Sequence, residues 1–223
     1  MHLLSEQLFQ IGTRSLPLVL VTALSTGMVM SLQFGIGLEK FGGGPYVPKI
    51  VSLSILREMG PVFTSIMIAA RVGAGIASEI GSMVVTQQID AIRALGTSPI
   101  QKIVIPRVLA CLIALPLLAA MANIIGICGA GIIGVTELNL NLEFFFQTVM
   151  SSLKMKDFFA GFGKTIFFSL FISLSACYFG LNVKEGAKEV GIATTKTVVY
   201  SCILILVGDF FLTKLFWMVE QWI

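Results

Sequence analysis

Charged side chains inside long apolar runs are the residues of this sequence that could do chemistry. Four residues of this kind stand out, and they are Arg71, Glu79, Lys164 and Asp209. A charge at the centre of a bilayer costs roughly 2.5–3.5 kcal/mol on insertion scales, so each of them should face protein or water. Two acids and two bases in such places can form ion pairs, line a polar cavity or relay protons.

The spacing of these charges indicates how they pair. Arg71 and Glu79 are eight residues apart on one helix, about 12 Å along its axis, which is too far for direct pairing. We expect them to border a polar cavity, although Glu79 is equally consistent with a side chain that reaches the membrane interface. Lys164 and Asp209 would lie within roughly 10 Å in depth on antiparallel spans, so we expect an ion pair between them.

Other kinds of site find no support in the sequence. Gly163-Lys164-Thr165 resembles the end of a nucleotide-binding P-loop, but that motif requires a glycine where Phe158 stands. A single histidine and four cysteines within apolar runs offer neither a His-based catalytic set nor metal-ligand spacing. The net charge of +3, without a basic block, excludes nucleic acid as a partner. We expect no catalytic residue, metal or cofactor in this chain.

Membrane-spanning helices must position these charges. Hydrophobic residues make up 56% of the 223 residues and charged residues only 12%, against roughly a quarter in soluble proteins. Residues 15–38 contain no charged residue or histidine, and a helix of that length rises about 36 Å, enough to cross a bilayer core of about 30 Å. The sequence predicts an all-α integral membrane protein with five spans, at about 15–38, 59–78, 103–135, 158–181 and 197–219.

The segments between the spans are short. Residues 1–14 have amphipathic helical spacing and predict an interfacial helix, and residues 142–150 predict a second one. Glycines and two prolines at 39–49 predict a loop without regular helix. Five crossings place the termini on opposite sides, and the Lys and Arg count barely favours a cytoplasmic N-terminus. Small residues four apart, as at Ala69, Gly73 and Ala77, indicate close helix packing within the chain or across a homodimer.

The polar stretch after the second span predicts a short helix over residues 86–95. Thr86 can cap its start, Gly96 suits the left-handed position after its end, and Pro99 prevents its continuation. About ten residues make a rod of roughly 15 Å, which is too short to cross a membrane.

The faces of this short helix differ in polarity. Ile89, Ile92 and Leu95 form an apolar ridge, and Asp90 and Arg93 can pair on the wet side. An exposed ridge can transmit force between membrane helices and a soluble partner, or it can lie on its own protein. The pattern alone favours neither. If the ridge binds a partner, replacing Ile89 and Ile92 with Asp should release that partner and leave the membrane fold intact.

Two stretches resemble a known family. LREMGPVFTSIMIAARVGAGIASEIGSMVVTQQIDAIRALGTSPIQKIVIPR, residues 56–107, resembles the signature region of the MlaE (YrbE-like) permeases, and GIATTKTVVYSCILILVGDFFLT, residues 191–213, resembles their last span. The resemblance implies a homodimer of five-span subunits on a cytoplasmic ABC ATPase that binds ATP and Mg²⁺. It also implies a periplasmic MCE-domain protein, in some members a STAS-domain protein, and phospholipid transport between the inner membrane and the outer envelope.

The resemblance also implies roles for particular residues. It makes residues 86–95 a coupling helix that enters the ATPase, and this set comprises Thr86, Gln87, Gln88, Ile89, Asp90, Ile92, Arg93 and Leu95. Glu79, Lys164 and Asp209 match polar intramembrane positions typical of the family. Gln33, Phe34 and Arg57 are expected to form the wall of a lipid cavity because of their positions, at the outer ends of the first two spans or in the loop that joins them. The coupling helix and the N-terminus would be cytoplasmic and the C-terminus periplasmic.

The function expected is that of the membrane subunit of an ABC-type phospholipid transporter, a single permease domain over residues 1–223 that is not itself an enzyme. The main alternative is an ATP-independent channel or secondary carrier that uses the intramembrane charges, although the sequence has no internal repeat. A lipid-modifying enzyme would need a nucleophile and base or metal ligands. A scaffold without transport is the third alternative.

Overall fold

The computed structural model describes residues 2–184 and 186–222 of the chain. Within these residues five helical segments are long and apolar enough to cross a membrane, and they are Ser5–Glu39, Gly44–Val85, Ile100–Thr136, Met155–Leu181 and Ala187–Gln221. No β-strand occurs in the same residues. The predicted all-α architecture with five spans is confirmed.

The helices are numbered in chain order. The first five are α1 at His2–Leu8, α2 at Leu16–Glu39, α3 at Val47–Ser54, α4 at Gly60–Ile68 and α5 at Ala74–Val85. The other five are α6 at Gln88–Ala94, α7 at Ile105–Thr136, α8 at Leu142–Ser152, α9 at Met155–Leu181 and α10 at Ala187–Trp222. Wider π-helical turns lie at Phe9–Thr13, Ile55–Met59, Ala69–Gly73 and Ile100–Val104. The interfacial position predicted for residues 1–14 stays a prediction.

The second helical segment begins earlier than expected. The sequence predicts a loop at 39–49 and a span at about 59–78, whereas a 3-10 turn covers Gly44–Tyr46 and α3 starts at Val47. Pro48 lies in the first turn of α3, where a proline needs no N–H partner and its fixed φ suits a helix. The predicted loop is therefore wrong from residue 47 onwards. As a consequence, Arg57 and Glu58 lie inside the helical segment.

The chain divides into two compact units, each assembled from three stretches of sequence. Unit 1 comprises residues 1–15, 65–116 and 165–211. Unit 2 comprises residues 16–64, 117–164 and 212–223. The single permease domain expected over residues 1–223 stays a prediction.

Small residues let the second span and α9 pack closely in unit 1. A Cβ added to Gly180 of α9 would lie 2.9 Å from the Cβ of Ile80, and one added to Gly73 would lie 3.3 Å from Ile172. Ala77, from the predicted small-residue stripe, is fully buried. These members of the stripe therefore pack within the chain, which is the first of the two alternatives that the sequence allows.

The short helix α8 contributes to the core of unit 2. The Asn141 side chain caps α8 by accepting a hydrogen bond from the backbone N–H of Glu143 at 2.8 Å. One face of the helix is buried, and the core cluster that includes it comprises Val47, Val51, Ile55, Ala130, Phe145 and Val149. The predicted helix at 142–150 is present, and its apolar face packs against α3 and α7.

Contact between the backbones of α2 and α7 gives a test of packing in unit 2. A Cβ on Gly27 would overlap the carbonyl oxygen of Gly126, whereas a Cβ on Gly37, further along α2, would meet nothing within 4 Å. Gly27→Ala should lower the free energy of unfolding by about 1–3 kcal/mol, because the two helices would have to move apart. Thermal unfolding in detergent measures this loss.

Gly37→Ala is the matched control for this packing test, because it makes the same change in the same helix. It should keep or slightly raise the melting temperature, since alanine favours a helix over glycine by about 1 kcal/mol. Equal melting temperatures of the two variants would contradict the close approach of α2 and α7.

Candidate functional site

Lys164, in unit 2, is a fully enclosed charge, with 1% of its surface exposed. Its ammonium group donates hydrogen bonds to Glu58 Oε2 at 2.5 Å and to Thr213 Oγ1 at 2.7 Å. The Thr213 hydroxyl in turn donates to Glu58 Oε1 at 3.3 Å. We call these three residues the lysine triangle. Within it the ammonium group is both neutralised and hydrogen-bonded, as a charge removed from water requires.

Three helical elements bring the lysine triangle together. Glu58 lies in the π-helical turn at 55–59, Lys164 in α9 and Thr213 in α10. Gly161 of α9 faces the second span so closely that a Cβ there would overlap the carbonyl oxygen of Leu56. The absence of a side chain at residue 161 therefore lets the lysine reach the glutamate.

The lysine triangle lies well inside the spanning helices. Lys164 comes nine residues after the start of α9 at Met155, and Thr213 comes nine residues before the end of α10 at Trp222. At about 1.5 Å per residue, each lies about 14 Å from its helix end. An uncompensated charge this far inside a spanning helix would be costly.

Arg57, the neighbour of Glu58, is held by two carboxylates. Its guanidinium donates to Asp157 Oδ1 and to both carboxylate oxygens of Glu220, the latter at 3.2 Å. Asp157 is buried, and it also accepts the backbone N–H of Lys154 at 2.9 Å. Asp157 thus caps the start of α9 and orients Arg57 at the same time.

Neither Glu58 nor Thr213 is predicted as a site residue from the sequence, and neither are the two partners of Arg57. The predicted second span begins after Glu58 because an uncharged run begins there, so this carboxylate falls outside the predicted spans. Charge balance is the signal that could have found it, since a lysine within a span needs an acid at similar depth. Glu58 is such an acid, and it lies in LREMGP at the start of the stretch that resembles the MlaE permeases.

The predicted ion pair between Lys164 and Asp209 stays a prediction. Asp209 is partly buried on α10. It precedes Thr213 by four residues, so the two share one face of that helix.

Arg71 and Glu79 of unit 1 both line a pocket of about 470 Å³, in agreement with the cavity expected from their spacing. Arg71 Nη1 donates to Ser15 Oγ at 2.6 Å. Glu79 accepts a hydrogen bond from Arg107 Nη2 at 2.9 Å, and only 10% of the Arg107 side chain is exposed. The two residues therefore line one pocket but bind different partners. Their part in transport stays a prediction.

The predicted short helix between the second and third spans is present as α6, Gln88–Ala94, but it starts differently. Thr86 does not cap it, because the Thr86 hydroxyl donates to the carbonyl of Ser82 in α5 at 2.8 Å. The chain turns instead at Gln87, whose φ of 58° is left-handed. At the other end Gly96 has a φ of 74°, as predicted for the residue after a helix C-terminus.

The predicted apolar ridge of α6 is split between buried and exposed positions. Ile89 is 3% exposed and Leu95 is 80% exposed, while Ile92 lines a second pocket of unit 1. Asp90 and Arg93 form the predicted ion pair on the wet side, with Arg93 Nη1 and Asp90 Oδ1 3.0 Å apart. Ile89 therefore attaches α6 to unit 1, and Leu95 is the part of the ridge that is open to a partner.

Gln33, Phe34 and Arg57, the predicted cavity wall, have three different surroundings. Gln33 is exposed on α2, Phe34 packs against the core cluster of unit 2, and Arg57 is held by its two carboxylates. A pocket of about 280 Å³ in unit 2 is lined instead by other side chains, such as Met59 and Phe63. A shared role of the three residues as a wall stays a prediction.

Five spanning helices with ion pairs inside them, and a short helix between two of the spans, define a multi-pass membrane protein. Comparison with known families gives the particular class. The family described as Permease MlaE matches residues 4–215, nearly the whole chain. The chain belongs to the MlaE permease family.

Individual relatives agree with this assignment. A probable ABC transporter permease protein of Rickettsia conorii is 41% identical over 98% of this chain and 85% of its own length. A probable ABC transporter permease protein of Synechocystis is 37% identical over 94% and 80%. The intermembrane phospholipid transport system permease protein MlaE of Haemophilus influenzae is 32% identical over 96% and 82%. This chain is the membrane permease of an ABC system and a multi-pass protein of the inner membrane.

The lysine triangle gives a stability prediction. Lys164→Met keeps much of the length of the side chain but removes the cation that Glu58 faces. Removing one partner of a buried ion pair costs about 3–5 kcal/mol, and we expect about 2 kcal/mol here because solvent screens the Glu58 carboxylate, whose side chain is 31% exposed. The melting temperature in detergent should fall accordingly.

Lys156→Met is the matched control for the lysine triangle, because Lys156 is exposed on the same helix α9. It should change the free energy of unfolding by less than about 0.5 kcal/mol. If both variants melted at the temperature of the native protein, the lysine triangle would not be a stabilising element.

Proposed function

We propose that this chain moves phospholipids between the inner membrane and the outer envelope. The observation that carries this proposal is the relative from Haemophilus influenzae, whose name states intermembrane phospholipid transport and which aligns with 96% of this chain. The driving force would come from a separate ABC ATPase, which would bind ATP and Mg²⁺.

The helix α6 is proposed to couple the ATPase to the membrane. It lies between two spanning segments, Gly44–Val85 and Ile100–Thr136. Left-handed residues at Gln87 and Gly96 define its two ends, and the buried Ile89 holds it against unit 1. A push on α6 would therefore move a rod of about 10 Å as one body, together with the span on either side of it.

The lysine triangle is proposed to control the lipid path. It ties α9 and α10 to the segment that also contains α5, next to the coupling helix. Asp209 lies one helical turn from Thr213, so it is the proposed second acceptor for Lys164. Exchange of the ammonium group between two carboxylates would let the helices shift without leaving the charge unpaired.

The proposed assembly is a homodimer on a cytoplasmic ABC ATPase, with an MCE-domain protein on the periplasmic side. A STAS-domain protein on the ATPase is a further proposed partner. The N-terminus and α6 would be cytoplasmic and the C-terminus periplasmic, which is consistent with five spans. Gln33, Phe34 and Arg57 are the proposed wall of the lipid cavity between the two copies.

Lipid transfer between vesicles tests this function. Donor vesicles that contain the chain with its ATPase and MCE-domain partner, and a fluorescent phospholipid, should lose the label to acceptor vesicles only while ATP is hydrolysed. A hydrolysis-deficient ATPase should reduce transfer to the level of protein-free vesicles. Transfer at an unchanged rate without ATPase or nucleotide would support the ATP-independent carrier instead.

Leu95→Asp tests the coupling role of α6. An exposed apolar side chain at the centre of a contact contributes about 2 kcal/mol or more, which corresponds to roughly thirtyfold in affinity. The variant should therefore lose the ATPase on co-purification. Its own melting temperature should not change, because Leu95 is 80% exposed.

Phe41→Asp is the matched control for Leu95→Asp, since Phe41 is 84% exposed in the loop after α2. It should bind the ATPase normally.

The sequence-based expectation that Asp at Ile89 leaves the fold intact is wrong, because Ile89 is 3% exposed and a carboxylate there would be buried. Normal ATPase binding by Leu95→Asp would exclude the exposed end of the ridge as the contact.

A further inference from the structure

The pocket bordered by Arg71 and Glu79 in unit 1 has an excess of positive charge. Its lining also contains Arg14, from the N-terminal helical segment. Glu79 is the acid in this lining, and its carboxylate is 2.9 Å from the guanidinium of Arg107, which neutralises it. Among the described residues neither Arg14 nor Arg71 forms an ion pair with a carboxylate. Two cationic groups of the pocket therefore lack a counter-charge from the protein.

Unused hydrogen-bond donors accompany this charge. A guanidinium has five N–H donors, and the contacts of Arg71 account for one of them, which Ser15 accepts. Gln7 and Gln10 line the same pocket, and within the described part of the chain neither amide side chain has a hydrogen-bond partner. A negatively charged group with several acceptor oxygens matches this set of donors, and phosphate is the group that arginine binds in this way.

The sequence places the pocket at the polar end of the first uncharged run, where the phosphate groups of a bilayer are expected. Arg14 is the last charged residue before the uncharged run of residues 15–38, and Ser15 begins that run. Because Arg71 donates to the buried Ser15, its guanidinium reaches the polar end of the run although its Cα belongs to the second span. Long cationic side chains near helix ends extend to the interface in this way.

We propose that this pocket binds the phosphate group of an anionic phospholipid. Its empty space of about 470 Å³ is in part open to solvent, so a lipid headgroup can enter it from outside the protein. Ile11, Val72 and Ile76 line its apolar part and would contact the glycerol and the first methylene groups. Two uncompensated cations favour an anionic headgroup over a zwitterionic one.

This lipid is distinct from the proposed cargo. The site includes no residue of the lysine triangle or of α6, and its occupation requires no ATP. A lipid bound there would join the N-terminal helical segment to the second span. The inference does not rest on the proposed transport function, and either one can fail without the other.

Lipid retention by the full chain tests the proposal. The protein is reconstituted in phosphatidylcholine nanodiscs that contain a small fraction of phosphatidylglycerol, and it is then extracted in mild detergent. Mass spectrometry counts the phosphatidylglycerol molecules that remain on each chain. The native protein should retain about one, and the double variant Arg14→Gln/Arg71→Gln should retain at least about tenfold less, because each lost charge-assisted contact lowers affinity several-fold.

Two further variants complete the retention experiment. Lys188→Gln/Lys196→Gln makes the same change of net charge at exposed positions of unit 1 outside the pocket, and it should retain the lipid within about twofold. Arg14→Gln alone covers the case in which loss of the Arg71–Ser15 bond unfolds the double variant. It should also lose most of the lipid. This substitution breaks no hydrogen bond or ion pair within the described residues, so it gives no reason for the protein to unfold.

Three results would overturn the proposal. The first is that the Arg14 and Arg71 variants retain as much phosphatidylglycerol as the native protein. The second is that the lysine variant loses as much phosphatidylglycerol as they do. The third is that inorganic phosphate at about 10 mM displaces the lipid from the native protein, which would make the pocket a site for free phosphate. We expect phosphatidylglycerol retention to be unchanged by inorganic phosphate, because the apolar part of the pocket contributes to binding.

Discussion

A lysine enclosed within spanning helices must keep a negatively charged acceptor, and Lys164 imposes this requirement on three helical elements. Its ammonium group holds the second span and α10 to α9 through Glu58 and Thr213. Leaving that cation uncompensated would cost several kcal/mol away from water. Any rearrangement of these helices must therefore keep the charge paired, either by moving the three elements together or by exchanging one acceptor for another.

The paired charge depends on backbones that approach closely. Without a hydrophobic driving force in lipid, spanning helices associate through packing and polar contacts, and small residues bring both within reach. Gly161 lies against the carbonyl of Leu56, one helical turn before Lys164. Gly27 lies against Gly126 in the same unit. Glycines at these two contacts therefore set the separation of the helices, and at Gly161 that separation lets Lys164 reach Glu58.

Features that depend on neighbours in the sequence could be predicted, and features that depend on distant residues could not. Long apolar runs predict all five spans, and the spacing of Asp90 and Arg93 predicts their ion pair. The contact between Lys164 and Glu58 joins residues 106 positions apart, and nothing local to either one indicates it. Pro48 shows a different limit, because the same residue ends a helix or begins one according to its position.

The helix α6 shows why a face of apolar residues does not reveal its own partner. Ile89 and Leu95 belong to one ridge by spacing, yet one is buried and the other is almost fully exposed. Under the proposed function both conditions are needed. A helix buried along its whole ridge would offer a motor subunit nothing to bind, and one exposed along its whole ridge would move without displacing the spans. Under that function, the buried isoleucine would turn a contact at the exposed leucine into motion of the membrane helices.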